Sequence, residues 1–247
     1  MPRAELAGQR VAIIGGTRGI GHATAALALE HGAEVLVASR DATRVAAAVA
    51  ELGALGAVRG AVVDVTARAE VDRLLAEFSP IDHLCLPGSQ AMPLPYEGLD
   101  ESAARAFFDA KFWGPFWAVH GARDRLRPGG SVVLYSGAAN RRPLTGYVVG
   151  AAIDGAIDAL TRSLAATMAE RRVRVNCISP GIVDTDVTRR GRTEGQYRAW
   201  VEHHASRLPV GRIGRPQECA AAALYLMTNG FVNGQVLAVD GGLESVP

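Results

Sequence analysis

Lysine is almost missing from this 247-residue chain: of its 26 basic residues only Lys111 is one, and the rest are arginine. Arginine is therefore the default cation. A site that keeps a compact ammonium stands out, because the planar guanidinium fork does not substitute for it. Cysteine is scarce too. Cys85, Cys177 and Cys219 form no CxxC pair and no metal spacing, so reduced thiols are expected and neither a disulfide framework nor a metal site. No apolar run approaches membrane-spanning length, and the first residues carry no apolar signal core. The expectation is a cytoplasmic protein without membrane contact. Charge of one sign is lacking as well: a net charge of +1 supplies no general attraction for nucleic acid. What the chain does have is apolar side chains, 49% of the total, enough for a large core.

Those side chains are distributed rhythmically. Strand-like runs fall at 11–14, 35–38, 61–63, 81–86, 131–135, 173–178 and 236–239, mostly without polar alternation, as in strands buried on both faces. Helical patterns fall between them at 22–31, 44–52, 70–78, 101–126, 151–170 and 216–227. This rhythm predicts an α/β fold: one Rossmann-like domain over residues 1–247, a doubly wound parallel sheet of about seven strands with helices on both faces. Residues 184–215 read as one long irregular stretch, and within it 186–208 are expected to form a lid over a small-molecule substrate.

The first strand runs into Gly15-Gly16-Thr17-Arg18-Gly19-Ile20-Gly21 and then a helix. Glycines there permit a tight turn and close approach of a pyrophosphate to free helix N–H groups. Between the first strand and first helix of a βαβ unit this pattern is specific. The second strand ends at Ser39-Arg40, where an acid would bind the ribose 2′-OH of NAD(H) and repel a 2′-phosphate. Arg40 and Arg18 instead suit a phosphate dianion, so NADP(H) is the expected cofactor.

Across nearly the whole chain these features resemble the short-chain dehydrogenase/reductase family. The loop at 14–21 is similar to that family's TGxxxGxG, with Ile14 in place of Thr. Asp64-Val65 resembles its adenine-contacting pair, and Leu86-Pro87-Gly88-Ser89 stands where the family has NNAG. Pro180-Gly181-Ile182-Val183-Asp184-Thr185 resembles the segment that holds the nicotinamide carboxamide through backbone at Val183 and hydroxyl at Thr185. The resemblance implies a homodimer or homotetramer through helices 101–126 and 151–170. Phe107, Phe108, Phe112, Trp113, Phe116 and Trp117 on the first of these exceed what one inward face needs.

The family's catalytic centre is not matched. Counting back from Leu160-Thr161-Arg162-Ser163-Leu164-Ala165, the family Tyr falls on Gly150, the Lys on Asp154 and the Ser on Gly137; the Asn falls on Lys111. A cation has in effect moved from the fifth helix to the fourth, with an anion opposite. A Lys111–Asp154 pair beneath the nicotinamide ribose is therefore expected. Tyr147 and Ser136 are the nearest alternative proton carriers. Tyr147 reads better as a pocket wall, and alternation turns Ser136 to the far side of its strand. Arg141 and Arg142 either attract an anionic substrate group or belong to a solvated loop. His203 and His204 fall in the lid.

Reduction of a carbonyl needs a proton donor beside the oxygen as hydride reaches carbon. The favoured reading is an NADPH-dependent oxidoreductase acting on a small carbonyl or related C=X group through a non-standard proton relay. A non-redox isomerase, dehydratase or cyclase, or a non-catalytic NADP(H)-binding protein, remains open.

Overall fold

The structure, a computed structural model, describes residues 5–88, 93–143 and 145–245. Seven parallel strands are present among them: β1 (Arg10–Ile14), β2 (Glu34–Ser39), β3 (Val58–Val62), β4 (Ile81–Leu86), β5 (Leu126–Tyr135), β6 (Arg174–Pro180) and β7 (Val236–Val239). Their order is β3-β2-β1-β4-β5-β6-β7. The helices are α1 (Gly19–Glu30), α2 (Ala42–Leu52), α3 (Arg68–Glu77), α4 (Glu101–Phe108), α5 (Gly114–Ala122), α6 (Val148–Thr167), α7 (Asp186–Arg189), α8 (Glu194–Ala205) and α9 (Pro216–Thr228).

The central strands lack polar alternation because both of their faces are covered. On one side Val71, Leu75, Val119, Ile153 and Ile157 of α3, α5 and α6 pack on the sheet. On the other Ala25, Leu29, Leu52, Ala223 and Leu226 of α1, α2 and α9 do so. Successive residues of β5 divide between them, Leu134 into the first cluster and Tyr135 into the second. The doubly wound parallel sheet is thus as expected.

Some boundaries differ. β3 occupies Val58–Val62, starting before the expected 61–63; it is an edge strand with Val62 exposed, so its apolar signal is weak. The expected helix 101–126 is broken. After α4 a π-turn spans Asp109–Trp113, α5 follows, and Leu126 already opens β5. Pro115 explains the break. It has no N–H for the carbonyl of residue 111, and its ring crowds that carbonyl. The turn widens there, with Gly114 N–H bonding to Asp109 O across five residues. Lys111 therefore sits in a π-turn, a feature often found at functional sites.

The stretch 184–215 is not irregular: it contains α7 and α8. Thr193 Oγ1 accepts from Gln196 N–H (3.3 Å), and Gln196 Oε1 accepts from Thr193 N–H (2.9 Å). This reciprocal cap starts a helix whose apolar periodicity is poor. At the other end of the sheet the buried Arg174 guanidinium donates to the carbonyls of Leu226 (2.6 Å) and Met227 (2.7 Å), closing the C-terminus of α9.

His83 lies buried in β4. Its Nε2–H faces Gln9 Oε1 at 2.6 Å, and its Nδ1 meets Ser131 Oγ at 2.8 Å. That pattern uses the neutral ring, and burial lowers its pKa to about 4. A folded-state pKa below the unfolded value makes a contribution that is fully present above about pH 6.5 and lost as pH falls toward 4. Urea melts are expected to show up to about 3 kcal/mol of stability lost across that window. In His83→Gln most of this slope should vanish; an unchanged slope would contradict the assignment.

Candidate active site

Strand order reverses between β1 and β4, and the crevice beyond their carboxyl ends is where doubly wound sheets bind ligands. Two glycines meet there. Gly15 has φ +100°, and a Cβ on it would stand 3.0 Å from the Gly88 Cα. One turn on, a Cβ on Gly21 would collide with the carbonyl oxygen of Gly15. Gly19, with φ +52°, faces Thr185: its Cβ would stand 3.3 Å from the Thr185 methyl. Thr17, Arg18 and Ile20 complete this turn, and α1 begins with no side-chain cap, leaving its first N–H groups to a ligand.

Arginines gather at one end of the crevice. Arg18 is half-buried, and its guanidinium pKa is lowered by burial first, then by Arg44, Arg190 and Arg40. Arg40 follows Ser39 at the end of β2 and is exposed. Asp64 is held below its ordinary pKa chiefly by the Thr66 N–H (2.9 Å), with help from the Thr66 hydroxyl (2.8 Å) and Arg40. Val65 packs where a Cβ on Gly114 would stand, 2.9 Å from its methyls. At the other end, Pro180 closes β6 and Gly181 lies against Asp240, a Cβ there standing 2.6 Å from the Asp240 Cα. Val183 is buried and bridges to Gly214, and the Thr185 N–H donates to Thr188 Oγ1 at 3.1 Å. Of the candidate cofactor residues, Gly15 meets Gly88, and Gly19 meets Thr185.

The ion pair lies beside Gly137, just past the carboxyl end of β5. Lys111 Nζ donates to Asp154 Oδ1 at 2.5 Å, and the two residues are only 6% and 3% exposed. Burial pushes the Asp154 carboxyl pKa up, and Lys111 opposes the shift. The two glycines around the pair are not alike. Gly137 has φ −178°, extended backbone that any residue adopts. Its constraint is steric: a Cβ would stand 2.8 Å from Asp154 Oδ2. Gly150 is buried, and a Cβ on it would make ordinary contact with Phe107 at 3.7 Å and Tyr147 at 4.0 Å. Tyr147 is half-buried beside that glycine.

Two expectations are corrected. Ser136 is on the α6 side of β5, not the far side. Its hydroxyl is buried against Cys177 Sγ (3.4 Å), a member of the same cluster as Leu134, so it is turned into the core. Arg141 does not await a substrate anion: it pairs with Asp158 (2.7 Å) and Glu244 (2.6 Å). Of the lid histidines, His203 is exposed, and His204 packs on Trp200 with ring centroids 4.5 Å apart. Ser89 lies outside the described residues. Sequence reasoning missed Arg44, Arg190, Asn140, Asp158 and Glu244. Only Asp158 left a readable signal, its helical i,i+4 spacing from Asp154.

The family described as Enoyl-(Acyl carrier protein) reductase matches residues 14–244. The 3-oxoacyl-(acyl-carrier-protein) reductase FabG of Chlamydia muridarum is 31% identical over 242 residues, 94% of this chain and 95% of that protein. The chain belongs to the short-chain dehydrogenase/reductase family. Among solved structures, the MalC reductase/Diels-Alderase from Malbranchea aurantiaca superposes with a TM-score of 0.91 at 28% identity, covering 99% of this chain and 100% of that one. A small-chain dehydrogenase in complex with NADPH superposes with a TM-score of 0.82 at 29% identity, covering 97% and 100%. Members of this family use NAD(H) or NADP(H). Among the described residues no helix is long and apolar enough to cross a membrane, and no His/Cys/Asp/Glu group could hold a metal ion.

Gly137→Ala tests the packing around Asp154. The added methyl forces the carboxylate off its position, and a cost of about 1–3 kcal/mol is expected in urea unfolding. In an Asp154→Gly background the same change should be nearly neutral. Equal costs in the two backgrounds would show that the glycine is not there for the carboxylate.

Proposed function

We propose that this protein is an NADPH-dependent oxidoreductase that acts on a small carbonyl or related C=X group with Lys111, paired to Asp154, in place of the family's Tyr and Lys. The observation that carries the reading is the buried 2.5 Å pair, with Gly137 against its carboxylate and Gly150 one helical turn before Asp154 on α6. Counting back along the sequence from Leu160–Ala165 would put the family's Ser and Tyr at those two glycines.

The crevice fits a dinucleotide. Glycines 15 and 21 let the turn close tightly, the uncapped start of α1 would offer its N–H groups to a pyrophosphate, and a 2′-phosphate would relieve the pressure that Arg44, Arg190 and Arg40 put on the Arg18 guanidinium. Asp64 and Val65 would take the adenine, and Val183 and Thr185 the carboxamide. The related dehydrogenase solved with NADPH supports this cofactor. When bound, the nicotinamide supplies or accepts the hydride. The Lys111 ammonium would hold the ribose, stabilise negative charge on the substrate oxygen and pass a proton to it, to be replaced from solvent, while Asp154 holds the lysine in place. The segment 186–208, which carries α7 and α8, would close over the substrate. The aromatic row Phe108, Phe112, Trp113, Phe116 and Trp117, with Trp113 exposed, supports a dimer or tetramer through α5 and α6.

A second reading, a cyclase or isomerase on this scaffold, draws support from the neighbour named as both reductase and Diels-Alderase. Cofactor oxidation against a panel of carbonyl, iminium and quinone acceptors separates the two, since only the redox reading consumes NADPH.

NADPH is expected to bind more tightly than NADH. Arg40→Ala should weaken NADPH by roughly tenfold to a hundredfold, the scale of a lost charge-assisted contact, and leave NADH nearly unchanged. Equal affinity of the unaltered protein for both would refute the NADP(H) assignment. Lys111→Met should lower turnover at least about a hundredfold. It also strands a buried carboxylate, so Lys111→Met/Asp154→Leu is the companion: well folded by thermal melt, and equally inactive. Lys111→Arg should rescue poorly. Full activity in the folded double variant would place the chemistry elsewhere.

A further inference from the structure

Asp154 is not the only buried acid on α6. Asp158 lies one turn further on, on the same face, and is 5% exposed. Two ionised carboxylates so placed repel each other, and in a low-dielectric setting one takes up a proton unless each has its own cation. Lys111 serves Asp154. Asp158 is served by the loop after β5: its Oδ2 accepts from the Arg141 guanidinium at 2.7 Å and from the Asn140 amide at 2.7 Å. Its Oδ1 is buried and has no hydrogen-bond partner.

Arg141 is itself held from the far end of the chain. Its Nε donates to Glu244 Oε2 at 2.6 Å. Glu244 belongs to the C-terminal turn Leu243–Ser245, whose backbone is tied to Asp240 through the Glu244 N–H (2.8 Å) and whose Leu243 is buried against Ala138 and Leu208. Ser179 of β6 donates to the other Glu244 oxygen at 3.3 Å. The charged and titratable groups that face the two acids are therefore Lys111 from the π-turn, Arg141 from the loop, Cys177 from β6 and Glu244 from the C-terminal turn.

We propose that Arg141 is a positioning residue of the candidate active site: by neutralising Asp158 it leaves Asp154 ionised against Lys111, and Glu244 of the C-terminal turn fixes it in that place. The inference rests on the reading of Lys111 and Asp154 as the working pair. It makes the last turn of the chain part of the pocket's electrostatics although it does not touch the pocket. The causes acting on the Asp154 carboxyl agree in sign: burial and Asp158 raise its pKa, while Lys111 and Arg141 lower it. Without Arg141 the Asp158 charge is uncompensated, Asp154 protonates at higher pH, and Lys111 loses its counter-charge.

The single lysine gives a direct probe. Protein labelled with [13Cε]-lysine has one lysine signal, that of Lys111, and its chemical shift reports protonation of the partner carboxylate. Unaltered protein should show one step on acidification. In Arg141→Met the step should move up by about one pH unit or more, the scale for losing a close opposite charge. In Asp158→Asn it should move down, and in the double variant return near its original place. No movement in Arg141→Met, or movement in the same direction in both single variants, would overturn the proposal. If Arg141→Met does not fold, Arg141→Gln, which keeps a hydrogen-bonding end and removes the charge, decides: an upward step upholds the proposal and an unmoved step ends it. The measurement uses no substrate, so it stands apart from the turnover of Lys111→Met. An active Lys111→Met/Asp154→Leu variant, which carries no lysine signal, would refute the catalytic reading and leave the titrations of the unaltered protein and of the Arg141 and Asp158 variants as they stand.

Discussion

Burying an ammonium and a carboxylate together is expensive, and the attraction between them offsets the lost hydration only if the geometry is good and further polar partners are in place. The Lys111–Asp154 pair sets that condition on everything around it. Gly137 has no side chain because the carboxylate occupies the space. A π-turn forced by Pro115 carries Lys111. The neighbouring acid, Asp158, needs its own arginine, and that arginine needs the C-terminal turn. A loss of about 3–5 kcal/mol is the usual result of removing one member of a buried pair, so these dependencies bear on folding as much as on chemistry.

The crevice has two electrostatic ends. At one end Arg44, Arg190 and Arg40 lower the pKa of the half-buried Arg18 guanidinium and Asp186 opposes them, an arrangement that a bound anion would complement under the proposed reading. At the other end two cations face three carboxylates: Lys111 pairs with Asp154, and Arg141 is shared by Asp158 and Glu244. The first end is open to a ligand of opposite charge. The second presents an oriented dipole that persists without one. Seven strands in one parallel sheet hold the two ends at a fixed separation, and the glycine contact between Gly15 and Gly88 keeps the backbone low between them.

Much of this was legible before any coordinates. Continuous apolar runs separated by helical patterns predict strands covered on both faces, and the sheet is built that way because burial is a local property of each strand. Glycine spacing after β1, the missing acid after β2 and the single lysine are likewise visible in the sequence. The helix 101–126 misled because apolar periodicity says nothing of where a proline will force a wider turn. The stretch 184–215 misled for the opposite reason: α8 is started by a cap at Thr193, not by a strong apolar stripe.

The partner of Arg141 was beyond the reach of sequence alone. Glu244 is 103 residues away, and only the packing of the C-terminal turn against Ala138 and Leu208 brings the two charges to 2.6 Å. The same is true of Ser136, whose direction follows from the register of β5 on β6 beside Cys177. By itself the sequence determined the order of elements, the glycine turn and which residue types stand at the site, since these follow from short-range spacing. The tertiary structure decided which charges neutralise which, because Coulomb interactions act through space and the fold sets the distances.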